Sequence, residues 1–164
     1  YSAGSTGVWL HNRGAGFDLR PGHPNELAPG RRPLHTHAPT LWTDGDETRL
    51  VLGTRGGDQQ PQLHAHVAAN QLWASLTPDD CQRRPRWTID SISGDASPVI
   101  RYEPRYPETV IAGLEGRGHR LEPASAWEAG WGPVSTITVD GSVQGSADPR
   151  VSTATALAAP LSAD

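Results

Sequence analysis

Leu50-Val51-Leu52-Gly53-Thr54-Arg55-Gly56-Gly57-Asp58-Gln59-Gln60-Pro61 is the stretch from which the fold is read. Leu50-Val51-Leu52 is a short apolar run of the kind that makes a buried strand. A glycine turn follows. Asp58, Gln60 and Pro61 then read as a helix start, with Pro61 near the first helical position. Apolar residues recur at Leu63, Val67, Leu72 and Leu76, roughly one helical face, which predicts a helix running toward Leu76. A strand, a glycine turn and a helix aim backbone N–H groups at one place. The helix N-terminus adds unpaired donors and partial positive charge. Without a Cβ at Gly56 or Gly57 a ligand atom can approach the main chain, so the turn suits an anion or a developing oxyanion. The same turn also reads as a plain strand-to-helix connection. It is not a phosphate loop, because Gly-x-x-x-x-Gly-Lys-Ser/Thr is absent.

Outward from this stretch, Leu41-Trp42 and Arg49 to Leu52 flank Asp44-Gly45-Asp46, which predicts an antiparallel hairpin. Val134 to Val139 alternates, Asp140-Gly141 turns, and Ser142 to Ala147 returns as a second hairpin. Pro98 to Tyr102 reads as a strand. Pro107 opens a second helix with Val110, Ile111 and Leu114 on one side, closed by Gly116 and Gly118. Val8-Trp9-Leu10 is a short strand candidate. Asp18 to Arg32 is an irregular excursion with Pro21, Pro24 and Pro29, and Pro78 to Asp90 reads as a connection. The tail from Ser152 is small and Ala/Ser-rich, expected to fray. Strands, partly antiparallel, with helices between them argue a layered α+β arrangement, and residues 1–164 read as a single domain.

Composition excludes several classes. The net charge is −4, which leaves no nucleic-acid footprint, and no apolar run approaches the ~18 residues of a membrane span. All 14 basic residues are Arg, and Met is absent, so Tyr1 does not read as a translation start. Cys81 is the one cysteine, which rules out an internal disulfide, and it reads as a buried or bystander thiol rather than a nucleophile. His35-Thr36-His37 and His64-Ala65-His66 resemble metal ligands. His64 and His66, however, fall in the predicted helix, where i and i+2 do not share a face, and no His-Glu-x-x-His arrangement is present, so no metal site is assigned. No Gly-x-Ser-x-Gly elbow is present. Asp148-Pro149-Arg150 reads as a structural corner, with Asp148 capping N–H groups and Arg150 paired to a carboxylate. Arg13, followed by Gly14 and Gly16, reads either as a fork for a ligand carboxylate or as a solvated loop residue.

Taken in order, several stretches resemble the small, C-terminal subunit of the gamma-glutamyltransferase family (glutathione hydrolases). They are Gly7-Val8-Trp9-Leu10-His11-Asn12, Pro29-Gly30-Arg31-Arg32-Pro33-Leu34, Pro39-Thr40, Gly53-Thr54-Arg55-Gly56-Gly57, Arg84-Pro85-Arg86-Trp87 and Ala147-Asp148-Pro149-Arg150. The resemblance implies an N-terminal-nucleophile hydrolase fold, an αββα sandwich of which this chain is the C-terminal part. A larger N-terminal subunit of the same precursor would complete it. It implies self-cleavage, a new N-terminal Thr upstream of Tyr1 as nucleophile with its own amine as base, and no cofactor. Gly56 and Gly57 match the pair whose N–H groups form the oxyanion hole. Arg13, Gly16, His35 and Thr36 match the acyl-binding positions, and Asn12 either shapes that loop or binds with them.

Three of those positions depart from the family pattern. Gly16 stands where an acidic residue usually holds the substrate's α-ammonium group. Arg13 replaces a Gln- or Glu-type residue, and His35-Thr36 replaces a Ser-Ser pair. The expected reaction is cleavage of a γ-glutamyl amide, with transfer of the acyl group to water or an amine. The alternatives are a cephalosporin-acylase-like amidase for a carboxylate-bearing acyl group such as glutaryl, and a non-catalytic binding homologue. Restoring Asp at Gly16 is expected to raise selectivity for γ-glutamyl over glutaryl substrates. The resemblance fits an exported protein and leaves the cytoplasm open.

Overall fold

The structure, a computed structural model, describes residues 2–89 and 98–158. Its contacts divide the chain into two compact units, Tyr1–Thr36 and His37–Asp164.

The larger unit is built on an antiparallel sheet. Strands β1 (Thr40–Asp44), β2 (Glu47–Thr54), β6 (Val134–Asp140) and β7 (Ser142–Ser146) lie in the order β1-β2-β6-β7. Both predicted hairpins form, with Gly45 and Gly141 supplying the left-handed φ of +59° and +62° that their tight turns need. Alternation then sorts the side chains. Leu50, Leu52, Val134, Thr136 and Thr138 point to one buried face. Helix α1 (Gln60–Leu72) covers that face with Leu63, Val67 and Ala68, and Trp131 closes the cluster. The opposite face carries a row in register, Leu41–Val51–Ile137, whose outer members are 62% and 46% exposed.

A second sheet, β3 (Trp87–Ile89), β4 (Val99–Tyr102) and β5 (Arg120–Pro123), is mixed: β3 and β4 are antiparallel, β4 and β5 parallel. Helix α3 (Glu108–Glu115) makes the crossover that parallel neighbours require. Its Val110, Ile111 and Leu114 line a small apolar cavity with Trp87, Ile100 and Leu121.

Several expectations are corrected. Helix α1 ends at Leu72, and Leu76 lies beyond it. Part of the supposed connection after Pro78 is a helix, α2 (Pro78–Arg83), and part is strand β3. Thr77 caps α2 by accepting the Asp80 N–H at 3.2 Å, and Pro78 and two aspartates fill its first turn. Asp90 and the tail beyond Ala158 lie outside the described residues.

The smaller unit has little regular structure. Short 3₁₀ turns at Gly4–Thr6 and Arg13–Gly16 are joined by coil, and Val8-Trp9-Leu10 is not a strand. Only an isolated bridge pairs Ser2 with Trp9, and all three apolar residues are exposed. A three-residue apolar run with a single bridge and no covering layer has too little to hold it as a strand.

Candidate functional site

The turn after β2 is tight, and its two glycines serve different purposes. Gly56 has φ −72° and ψ 12°, and Gly57 has φ +58°. A right-handed residue followed by a left-handed one turns successive N–H groups into a single concavity, a backbone nest for an anion. Among the described residues the N–H groups of Gly56 and Gly57 donate to no acceptor. A 3₁₀ turn, Gly57–Gln59, then leads into α1. Gly57 is required by its φ, and nothing lies within 4 Å of where its Cβ would stand. Gly56 is required by packing. A Cβ there would sit 2.6 Å from the Trp131 carbonyl oxygen and 2.7 Å from Leu63 Cδ1. The open approach to the main chain expected at both glycines therefore exists at Gly57; at Gly56 the protein itself fills the space.

In the smaller unit the structure brings Arg13 and Thr36 together. Arg13 Nη1 donates to Thr36 Oγ1 at 3.2 Å. Asn12 precedes the 3₁₀ turn, its carbonyl accepting the Ala15 N–H at 3.0 Å. Its side chain makes no capping bond. His35 is exposed. Gly16 is pressed against the segment that carries His35 and Thr36: a Cβ would lie 2.6 Å from the Leu34 carbonyl oxygen and 3.3 Å from Pro33 Cβ. Asn25, which sequence reasoning passed over, joins the two stretches. Its Nδ2 donates to the Gly16 carbonyl and its Oδ1 accepts the Leu34 N–H at 3.2 Å. This closure bears on the substitution expected above. An Asp side chain at Gly16 would strike backbone, so it would move the loop as well as add charge.

Behind β6 lies a buried ionic cluster that the Asp148-Pro149-Arg150 corner only hinted at. Glu103 is fully buried and accepts Arg150 Nε and Nη2 at 2.6 Å each, Arg105 Nη2 at 2.6 Å, and the Arg86 and Glu128 N–H groups at 3.0 and 2.9 Å. Asp148 accepts Arg86 Nη1 at 2.6 Å and caps the Val134 and Arg150 N–H groups at 2.9 and 3.0 Å. Trp127 lies under the Arg105 guanidinium, 3.6 Å from ring centroid to Cζ. Burial alone would raise both carboxyl pKa values. The Arg150 hydrogen bonds to Glu103, and the Arg86 charge beside Asp148, help hold both below their ordinary values.

Neither His pair belongs to a metal-ligating cluster among the described residues. His64 is buried, and burial lowers its pKa. His66 packs against Trp87 with ring centroids 4.7 Å apart. Burial first, then the Arg86 and Arg150 charges, pull its pKa down to about 4. A folded pKa below the unfolded one means that acid favours the unfolded chain. Stability at this position is complete above pH 6.5, the ordinary His value, and is lost as pH falls toward 4. The shift corresponds to on the order of 3 kcal/mol. His66→Phe is therefore expected to flatten the fall in urea midpoint between those pH values, measured against the unsubstituted protein. Cys81 is buried, and burial first, then the Asp80 charge, push its thiol up to about 11, which makes it a packing residue.

Comparison with known proteins places these features in a family. A family model described as gamma-glutamyltranspeptidase matches residues 1–158. The chain is 34% identical over 151 residues to the glutathione hydrolase-like YwrD proenzyme of Bacillus subtilis (strain 168), covering 91% of this chain and 29% of the relative. It is 33% identical over 147 residues to the oxamate amidohydrolase proenzyme of Klebsiella pneumoniae subsp. pneumoniae, covering 88% of this chain and 28% of that protein. The chain thus spans under a third of the length of these curated relatives. Among solved structures, cephalosporin acylase from Bacillus halodurans superposes with a TM-score of 0.79 at 30% identity, covering 94% of this chain and 28% of that one. The α+β architecture is accordingly the C-terminal part of an N-terminal-nucleophile hydrolase fold. With nearly its whole length matched by one family model, the chain belongs to the gamma-glutamyltranspeptidase family.

Proposed function

We propose that the protein carrying this chain is an amide hydrolase of the acyl-transfer type. An N-terminal Thr outside residues 1–164 takes the acyl group of a γ-glutamyl or related amide and passes it to water or an amine. The observation that carries this reading is the Gly56–Gly57 nest with its unpaired N–H groups. Fixed donors aimed at developing negative charge are what a tetrahedral acyl-transfer intermediate needs. Gly56 and Gly57 are assigned that role, and Arg13, Thr36, His35, Gly16 and Asn12 the recognition of the acyl group. A larger N-terminal subunit of the same precursor is the proposed partner. The exposed apolar row Leu41–Val51–Ile137 is a surface suited to it, and both curated relatives described above are named proenzymes. No helix among the described residues is long and apolar enough to cross a membrane.

One arrangement favours a particular acyl group. Arg13 hydrogen-bonds a neutral hydroxyl and no carboxylate, so its charge is available to a substrate carboxylate. Gly16 offers neither an acidic group nor room for one, so an α-ammonium group meets no counter-charge there. A carboxylate-bearing acyl group without an α-amine fits better than a γ-glutamyl group. Oxamate, named for one relative, is an amide of this kind. The test compares glutaryl and γ-glutamyl 4-nitroanilides as paired substrates of the full-length protein. The glutaryl compound is expected to give the higher kcat/KM. Arg13→Gln should lower that value by roughly tenfold or more, the worth of a charge-assisted contact of 1.5–3 kcal/mol. A preference for γ-glutamyl would sink the amine-free assignment. No turnover, together with no Thr-led polypeptide on N-terminal sequencing, would favour a non-catalytic homologue.

A further inference from the structure

The direction of the Gly56 N–H is set from across the sheet. Gly132, with φ +86°, stands on Gly56: a Cβ at Gly132 would fall 2.6 Å from the Gly56 nitrogen and 2.7 Å from its Cα. In the reverse sense, a Cβ at Gly56 would fall 2.6 Å from the Trp131 carbonyl oxygen. The two glycines meet backbone to backbone, and only glycine at both positions permits that approach.

The neighbouring residues lock this contact. Thr54, at the end of β2, donates its hydroxyl to the Pro133 carbonyl at 2.8 Å. Val134, paired with Thr54 across the sheet, is held through both of its backbone groups. Its N–H goes to Asp148 Oδ2 at 2.9 Å, and its carbonyl accepts Gln82 Nε2 at 2.6 Å. The β6–β7 register ends with Thr136 opposite Ser146, two residues short of Val134. The Asp148 side chain thus supplies an acceptor where β7 has already ended. Asp148 and Gln82 are themselves fixed by Arg86, at 2.6 Å each. The segment from Trp131 to Val134 is therefore a rigid backing, and the Gly56 peptide leans on it.

The geometry points to Thr54 and Gly132 as positioning residues for the oxyanion turn. They act through the Gly56 peptide, keeping its N–H in the direction the developing charge requires. The inference rests on the acyl-transfer reading above.

Thr54→Val tests it in the full-length protein, because it keeps the β-branched shape and removes only the hydroxyl. The probe is the better of the two 4-nitroanilides. Thr54→Val is expected to lower kcat roughly tenfold with KM changed by less than about twofold, the pattern of a contact felt mainly in the transition state. Thr54→Ser, which keeps the hydroxyl, should stay close to the unsubstituted rate. Gly132→Ala should act in the same direction and more strongly. Amide hydrogen exchange across residues 54–60 should quicken in Thr54→Val, while exchange in α3 stays unchanged. Unaltered kcat and exchange in Thr54→Val would overturn the inference, as would an equal loss of kcat in Thr54→Ser. If the unsubstituted protein cleaves neither anilide, the acyl-transfer reading fails. The exchange measurement would then still decide whether Thr54 holds the turn.

Discussion

Glu103→Gln is expected to lower the unfolding free energy by about 3–5 kcal/mol, the cost of removing one partner from a buried ion cluster. Gln has the right shape, so the loss cannot be put down to a cavity. It follows from charge and from donor–acceptor matching. The Glu103 carboxylate takes five hydrogen bonds, three from guanidinium groups and two from backbone N–H groups. A carboxamide offers one acceptor oxygen, and its NH₂ would face groups that can only donate. Arg86 and Arg150, both buried, would be left with Asp148 as their one buried carboxylate. Urea denaturation of the full-length protein reads the change. The double variant Glu103→Gln/Arg150→Met separates the two possible causes. If stranded positive charge is the cause, removing Arg150 as well should cost less than the sum of the single changes. Strict additivity would show that the pair does not act as a unit.

This cluster marks where sequence reading stops. The hairpins were legible, because Asp-Gly turns and two-residue alternation are local signals, and Gly45 and Gly141 do adopt the φ those signals imply. The start of α1 was legible from Pro61 and the spacing of Leu63 and Val67. Helix α2 left a signal that was missed, Thr77-Pro78-Asp79-Asp80, a capping residue before Pro and two acids. At six residues it gives no periodicity to count. Glu103 could not have been found. It sits between Tyr102 and Pro104, where it looks like a loop acid, and its partner Arg150 is 47 residues away. Gly132 was equally silent, since Trp-Gly-Pro reads only as a turn and nothing local says that a Cβ there would strike the Gly56 backbone. At the proposed acyl site the residue types were readable, but the closure of Gly16 onto Leu34 was not. That contact depends on Asn25 joining two stretches of coil.

Gly56→Ala is expected to cost kcat about 10²–10³-fold, the penalty for losing one oxyanion donor. Gly57→Ala should cost activity less, and for a different reason. At Gly56 the new methyl meets the Trp131 carbonyl at 2.6 Å and Leu63 Cδ1 at 2.7 Å. Leu63 can rotate, but the carbonyl belongs to the backing that Gly132 and Val134 hold in place, so the turn must move instead. A displaced N–H no longer points at the oxyanion, and that loss is felt in the transition state more than in substrate binding. At Gly57 the methyl meets no protein atom: it narrows the open approach, which costs some activity, and it strains the left-handed φ of +58°. That strain is worth roughly 1–2 kcal/mol for a residue with a Cβ. It should appear mainly as lowered stability. Asn tolerates this conformation better than Ala, so Gly57→Asn should recover part of the stability lost in Gly57→Ala. No Gly56 variant has such a remedy, because its constraint is space. Steady-state kinetics with urea midpoints for the three variants decide the matter. If Gly56→Ala and Gly57→Ala lost kcat equally and stability equally, one shared cause would be at work. The separate assignments of packing to Gly56 and conformation to Gly57 would then fail.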